Sequence, residues 1–384
     1  MFPPCLLEVI WILSPLEAGT TAVLLPFLLG LTGDRYDGIL GVLSGIETLK
    51  TMNDLGLETV GGIGVVDWTN EEGARFPMSM ISSGVWAGEI PLARAHNLAE
   101  VPTVASLPTA ASAPETMKSA LEKINYLGSV PCSYKQTPMA AHFELHIEQG
   151  PYLVSSGQRV GVVRSVNSFS WYRINVTGRD THTGTTAFHH RADALYASSR
   201  MIVRTRDIAS KHGCLASTGI LELSPGSVNT VPKFVSFSLD VRGPTNEAVA
   251  STVAGLKEEF DAIASEEGKG IGKPCRVEWD LNFDFPAVHF NEDCIDMVQQ
   301  SAEAVVSEPG VVEPKSLVRH MMSGAGHDSV FTSMRIPTSM IFVPCRNGVS
   351  HTPDEFTSAE DCATGASVIL QAVVRYDRKR FIDI

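Results

Sequence analysis

A chain of 384 residues exceeds what one ordinary hydrophobic core serves, so two domains are expected, and 44% hydrophobic residues suffice to fill them. The formal net charge of −13 and a pI near 5.3, with no basic run, exclude nucleic acid and anionic membrane surfaces as natural partners. Seven cysteines, odd in number and without a CxxC spacing, suit reduced thiols and a cytoplasmic location rather than a disulfide framework. The first 33 residues are strongly apolar and hold no lysine or arginine, unlike a secretory or transit signal. Their uncharged stretch from Ala18 to Gly33 is broken by Pro26 and falls short of the roughly 20 residues that span a bilayer, so it reads as neither anchor nor address.

After Asp37, the apolar positions Ile39, Val42, Leu43, Ile46 and Leu49 recur at helical spacing up to a stop at Gly56. The run GIGVVDW reads as a buried strand ending in Asn70-Glu71-Glu72. Ser112 and Glu115 form a capping-box pattern with Pro114 near the first turn, opening a helix that closes at Gly128. In AHFELHIEQG, Phe143, Leu145 and Ile147 point one way while His142, Glu144, His146 and Glu148 point the other. This alternation of helix and strand predicts an α/β layer with a mostly parallel sheet.

Beyond Gly150-Pro151 the pattern changes. Strands over Gly161–Val166 and Trp171–Val176 lead to a helix over about 191–212. Strands at 219–223 and 234–242, a helix near 246–265 and a strand near 276–281 follow. That order is β-α-β-β-α-β, the signature of a ferredoxin-like sandwich. An inserted domain is therefore expected at 157–284, dividing a first domain into 1–156 and 285–384. The resumed part shows a helix capped by Asn291, the loop SGAGHD, a strand TSMIFVPC and a last helix opened by Thr357 and Glu360.

Asp37, Glu72, His146 and His351 mix carboxylate and imidazole beside glycine or proline turns, a donor set that suits zinc or manganese. Asp37 is a natural bridge between two ions, and Glu71 is left over as the proton carrier. A doubled glutamate after a strand equally suits a solvated helix start, and Asp before Gly an ordinary turn. His182 lies in the loop TGRDTHTGTTAF, and Asn229 precedes a strand whose polar face carries Ser236, Ser238, Asp240 and Arg242. Arg242 could hold a carboxylate in bidentate fashion or simply pair with Asp240. His327 and Asp328 could form a structural hydrogen bond or a substrate contact.

Together YDGILGVLSGIETL, DWTNEEGARF, ELHIEQGP, GRDTHTGTT with HRADAL, SPGSVNTVP with SLDVR, SGAGHD and IFVPCRNGVSHTP resemble the amidase/hydantoinase/carbamoylase branch of the M20 metallohydrolases over about residues 35–384. The resemblance implies an M20-like α/β catalytic domain with an inserted ferredoxin-like dimerisation lid, a homodimer, and two divalent ions, zinc or manganese, per subunit. It makes Asp37 the bridging ligand, Glu72 and His351 ligands to one ion, His146 a ligand to the other, and Glu71 the general base. His182 would stabilise the oxyanion in the neighbouring subunit's site, Asn229 and Arg242 would hold the substrate carboxylate, and Gln149 and His327 would line the pocket. The implied substrate is a small carboxylate, an N-carbamoyl-L-amino acid or related ureido acid. An aminoacylase-like or dipeptidase-like hydrolase and a non-catalytic dimeric relative are the alternatives.

Two departures stand out. The family's Ser-His-x-Asp segment, about eleven residues before the bridging Asp, is replaced by AVLLPFLLGL, through a mis-joined N-terminus or a genuine loss, so one of the two metal sites is expected to be impaired. The Gln-Arg pair that allantoate-type members carry before the lid tryptophan is Phe169-Ser170 before Trp171 here, which argues against allantoate.

Overall fold

The computed structural model describes residues 35–100, 114–266, 272–307 and 313–382, together with the backbone of 6–13. Two compact units emerge, Met1–Ser165 with His289–Ile384, and Val166–Val288. The AVLLPFLLGL segment and Ser112 lie outside the described residues.

In the first unit the helix Ile39–Asp54 starts directly after Asp37, because Gly38 turns the chain at φ 79, a value that suits glycine. Its buried face runs through Leu40, Ser44, Thr48 and Met52, while Leu43, one of the apolar positions at helical spacing, is exposed. The main sheet holds, in order, Val160–Val166, Thr338–Val343, Met139–Ile147, Leu6–Leu13 and Gly62–Thr69. The expectation of a mostly parallel sheet fails here. Met139–Ile147 and Thr338–Val343 are parallel, but Leu6–Leu13 pairs antiparallel with both its neighbours and Val160–Val166 antiparallel with Thr338–Val343. Val160–Val166 and Met139–Ile147 are not neighbours: Thr338–Val343 lies between them, parallel to Met139–Ile147 and antiparallel to Val160–Val166. Gly62–Thr69 is also half-exposed along most of its length rather than buried, with Trp68 its buried side chain.

Helix starts follow local hydrogen bonding. The helix Met117–Lys123 is capped by Thr116, whose hydroxyl accepts from the Ser119 N–H, one residue past the Glu115 of the expected box. The cap of the last helix, Ala359–Ile382, shifts by one residue: the Ser358 hydroxyl accepts from the Asp361 N–H, so Ser358 and Asp361 replace Thr357 and Glu360. Asn291 caps Glu292–Val305 as expected.

The second unit contains Ser168–Thr177, the helix Ala194–Lys211, Leu215–Ser217 with Leu221–Ser224, Phe234–Gly243, the helix Asn246–Glu266 and Arg276–Phe285. The last strand, the first, Phe234–Gly243 and the Leu215–Ser224 edge lie side by side, all antiparallel, which is the ferredoxin-like order. Alternate residues Val235, Phe237, Leu239 and Val241 face the helices and bury against Met201, Leu256 and Phe260. A fully buried side chain of this size contributes about 1.5–3 kcal/mol relative to exposure. The strand Gly161–Val166, assigned above to the inserted domain, belongs instead to the first unit's sheet. Gly161 lies opposite Phe342, where a Cβ would meet the Met321 sulfur at 2.5 Å. Among the described residues no helix is long and apolar enough to cross a membrane.

Candidate metal and active centre

The first unit gathers its chemistry at the ends of Gly62–Thr69 and Met139–Ile147, at the start of the Ile39–Asp54 helix and in the 345–355 loop. Asp37 sits at the centre with its side chain 2% exposed. Its Oδ1 lies 2.9 Å from His146 Nε2, and its Oδ2 lies 3.4 Å from His351 Nε2. His351 Nε2 is also 3.4 Å from Glu72 Oε1. One donor atom each from Asp37, Glu72 and His351 fits within 4.8 Å, so these residues could hold a divalent cation. Gln149 Nε2 donates to Asp37 Oδ2 at 2.6 Å and Ser350 Oγ donates to the same oxygen at 2.7 Å.

Local backbone sets these directions. Asn70, at φ 61, ties its side-chain amide to the carbonyls of Phe76 and Met78, curling the chain so that Glu71 turns inward, 5% exposed, while Glu72 turns to the rim. Glu148 accepts from the Tyr152 and Leu153 amides, which fixes the turn at Gln149, φ 56. His351 itself sits at φ 58, a left-handed value that costs a non-glycine residue about 1–3 kcal/mol and persists only where the surroundings impose it.

The electrostatics follow from burial and charge. Burial opposes ionisation of Asp37, but the His146 ring and the hydrogen bonds from His351 and Ser350 outweigh it and hold the carboxyl well below its usual range. Burial alone would depress His146, yet Asp37 pushes it up to about 9. Hydrogen bonds to Asp37, then Glu72, raise His351 to about 11. Glu71 moves the other way: burial, then the charges of Asp328, Glu72, Glu144 and Asp37, raise it well above the ordinary carboxyl range.

His327 is buried with its Nε2 2.9 Å from Ser323 Oγ, and its ring meets the His146 ring at 4.5 Å. Asp328 hydrogen-bonds to Ser83. Glu144 accepts from the Ser329 amide at 3.1 Å and its hydroxyl at 2.6 Å, and its other oxygen lies 3.8 Å from His327 Nδ1. Ser83, Ser350, Ser329 and Glu355 were not singled out from the sequence. Glu144 was placed on the polar face of its strand by alternation, but without a role.

The remaining expected residues lie in the second unit. His182 and Asn229 share a two-stranded ribbon, in which His182 pairs Thr230 and the Thr183 amide donates to the Asn229 carbonyl. The exposed His182 accepts from the Gly184 amide at 3.1 Å. Arg242 makes the in-strand pair with Asp240, Nη2 to Oδ2 at 3.0 Å, and lies over the Phe169 ring at 5.2 Å.

Residues 17–375 match the model of peptidase family M20/M25/M40, and the chain belongs to that family. It is 35% identical to an N-carbamoyl-L-amino-acid amidohydrolase of Rhizobium meliloti over 89% of this chain and 76% of that protein. A Geobacillus stearothermophilus protein of the same name is 32% identical, over 89% and 78%. Among solved structures, an amidase of the hydantoinase/carbamoylase family from Burkholderia multivorans superposes with a TM-score of 0.77 at 35% identity, covering 90% of this chain and 78% of that one.

Proposed function

We propose that this chain is a metal-dependent amidohydrolase that removes the carbamoyl group from an N-carbamoyl-L-amino acid or a related ureido acid. The observation that carries this reading is the convergence of Asp37, Glu72 and His351 within 4.8 Å beside the buried Glu71, in a chain whose relatives are named for that reaction. Two carboxylates and an imidazole suit zinc or manganese, and the two oxygens of Asp37 face opposite neighbours, His351 and His146, as bridging requires. On the His146 side Asp37 and His146 are the only ligand pair among the described residues, so that half is read as the weaker. Asp37, Glu72 and His351 would hold a divalent cation, which would supply Lewis-acid polarisation of the scissile carbonyl and acidify a water.

The chain's own groups do the rest. Glu71 accepts the proton of the attacking water and delivers it to the leaving nitrogen. Arg242 and Asn229 bind the substrate carboxylate, Gln149 and His327 line the pocket, and His182 donates to the carbonyl oxygen as charge develops there. His182 and its ribbon partner Asn229 being exposed in one copy supports a homodimer in which a second copy completes the site. The six described cysteines are free thiols, in keeping with a cytoplasmic enzyme. The products from a carbamoyl substrate are amino acid, ammonia and carbon dioxide.

Purified protein supplied with zinc or manganese is expected to release ammonia from N-carbamoyl-L-amino acids faster than it cleaves N-acyl amino acids or dipeptides. Preference for the acyl or peptidyl panel replaces this reading with the aminoacylase-like one. Binding without turnover in excess metal establishes the non-catalytic relative, which the incomplete His146 half favours.

A further inference from the structure

We propose that Glu355 is a positioning residue that keeps the cation cup in shape by tying the segment before Asp37 to the loop that carries His351. This inference rests on the metal-dependent reading above. Glu355 is fully buried, yet among the described residues its hydrogen-bond partners are three backbone amides and a hydroxyl. Its Oε1 accepts three consecutive backbone N–H groups, from Arg35 at 2.9 Å, Tyr36 at 2.7 Å and Asp37 at 3.0 Å. Its Oε2 lies 3.2 Å from Ser350 Oγ, the same hydroxyl that stands 2.7 Å from Asp37 Oδ2.

A buried carboxylate without such donors costs several kcal/mol, so the three amides must stay converged for the fold to tolerate Glu355. Their convergence fixes the direction in which Asp37 leaves the backbone. Ser350 has one proton for two carboxylates, and so can release Asp37 Oδ2 while keeping a partner in Glu355. The Tyr36 ring meets the Phe356 ring edge-on at 5.7 Å, reinforcing the same seam. His351, four residues before Glu355, holds its left-handed backbone within this braced loop.

The molecule contains its own control. Asp377, buried in the last helix, accepts the consecutive amides of Val60 and Gly61 at 2.8 Å each, a clamp of the same type that touches no member of the cup. The test measures manganese and zinc affinity by competition with a chromophoric chelator, alongside the circular-dichroism melting temperature. Glu355→Ala is expected to weaken cation binding by about 10–100-fold, the usual effect of losing a partner that orients a metal ligand. Glu355→Gln, which keeps an acceptor for the amides, is expected to recover most of that loss.

Ser350→Ala, which leaves the amide clamp whole, is expected to weaken binding by about 3–10-fold without lowering the melting temperature, and it carries the test if Glu355→Ala does not fold. Asp377→Ala is expected to lower the melting temperature and leave affinity unchanged. Parent-like affinity in folded Glu355→Ala, parent-like affinity in Ser350→Ala, or an equal loss in Asp377→Ala overturns the proposal. Absence of cation binding by the parent itself overturns the metal-dependent reading, and this one with it.

Discussion

The cup of the first unit and the ribbon and sheet face of the second place reactive side chains under opposite conditions. Asp37, Glu71, His146 and Glu144 have buried side chains, and Asp37, His146 and Glu144 are hydrogen-bonded in place, whereas His182 is exposed and Arg242 is about a third exposed beside Asp240. Burial gives the first group its shifted proton affinities, because charges interact strongly only where water is excluded. The shifted proton affinities are thus concentrated in one unit, and on the proposed reading recognition falls to the other, a division of labour that mutations can separate.

The sharpest separation is expected at Glu71. Glu71→Gln should lower kcat by about 10²–10⁴-fold while metal content and melting temperature hold, as checked by steady-state kinetics on metal-quantified protein. Turnover near that of the parent would move the proton to another group and break the division. His182→Ala should follow, with a loss of about 10²–10³-fold in kcat and no change in cation affinity, since on the proposed reading the side chain donates only to developing charge. A change in cation affinity would show that the units share the metal site. Arg242→Ala should raise KM by about 10–100-fold with a smaller effect on kcat, and Arg242→Lys should restore charge but not the bidentate fork. A KM equal to that of the parent would leave Arg242 as the partner of Asp240 alone.

The smallest effect is on the metal-free protein's stability. His146 is raised to about 9 in the fold against about 6.5 in an unfolded chain, so its contribution is complete below about pH 6.5 and disappears as pH rises through 9. Glu71, also raised, acts in the same direction above its unfolded value near 4.3. Asp37, lowered, contributes above about pH 4 and loses that contribution as pH falls through its folded value. A melting temperature that falls by a few degrees between pH 6.5 and 9 without metal, and cation affinity that rises toward pH 9 as His146 gives up its proton, are the expected results. A flat profile would show that the Asp37–His146 pair does not form in the metal-free state.

Much of this was legible in the sequence because it is local. Strand alternation put His142, Glu144, His146 and Glu148 on one face, and the second unit's order of elements carried its topology. What was missed depends on distance along the chain. Nothing near Thr352-Pro-Asp-Glu355 signals that its carboxylate serves Arg35, Tyr36 and Asp37. The pairing of Val160–Val166 with Thr338–Val343 is equally silent, since a strand's pattern states which face is apolar but not which sheet it joins. The two shifted helix caps show a subtler limit: Ser358 and Asp361 compete with Thr357 and Glu360 for the same pattern, and packing chose between them.

The seam between Asp37 and Glu355 also orders events at the ribosome. The Asp37 amide and its carboxylate acceptor are 318 residues apart, and Val60 is 317 from Asp377. At synthesis rates of about 5–20 residues per second, a growing chain carries Asp37 and Glu72 for many seconds before His351 and the clamp that directs Asp37 exist. Cation capture by the finished geometry therefore belongs to the end of translation, and a chain released early leaves its acidic residues without the cup.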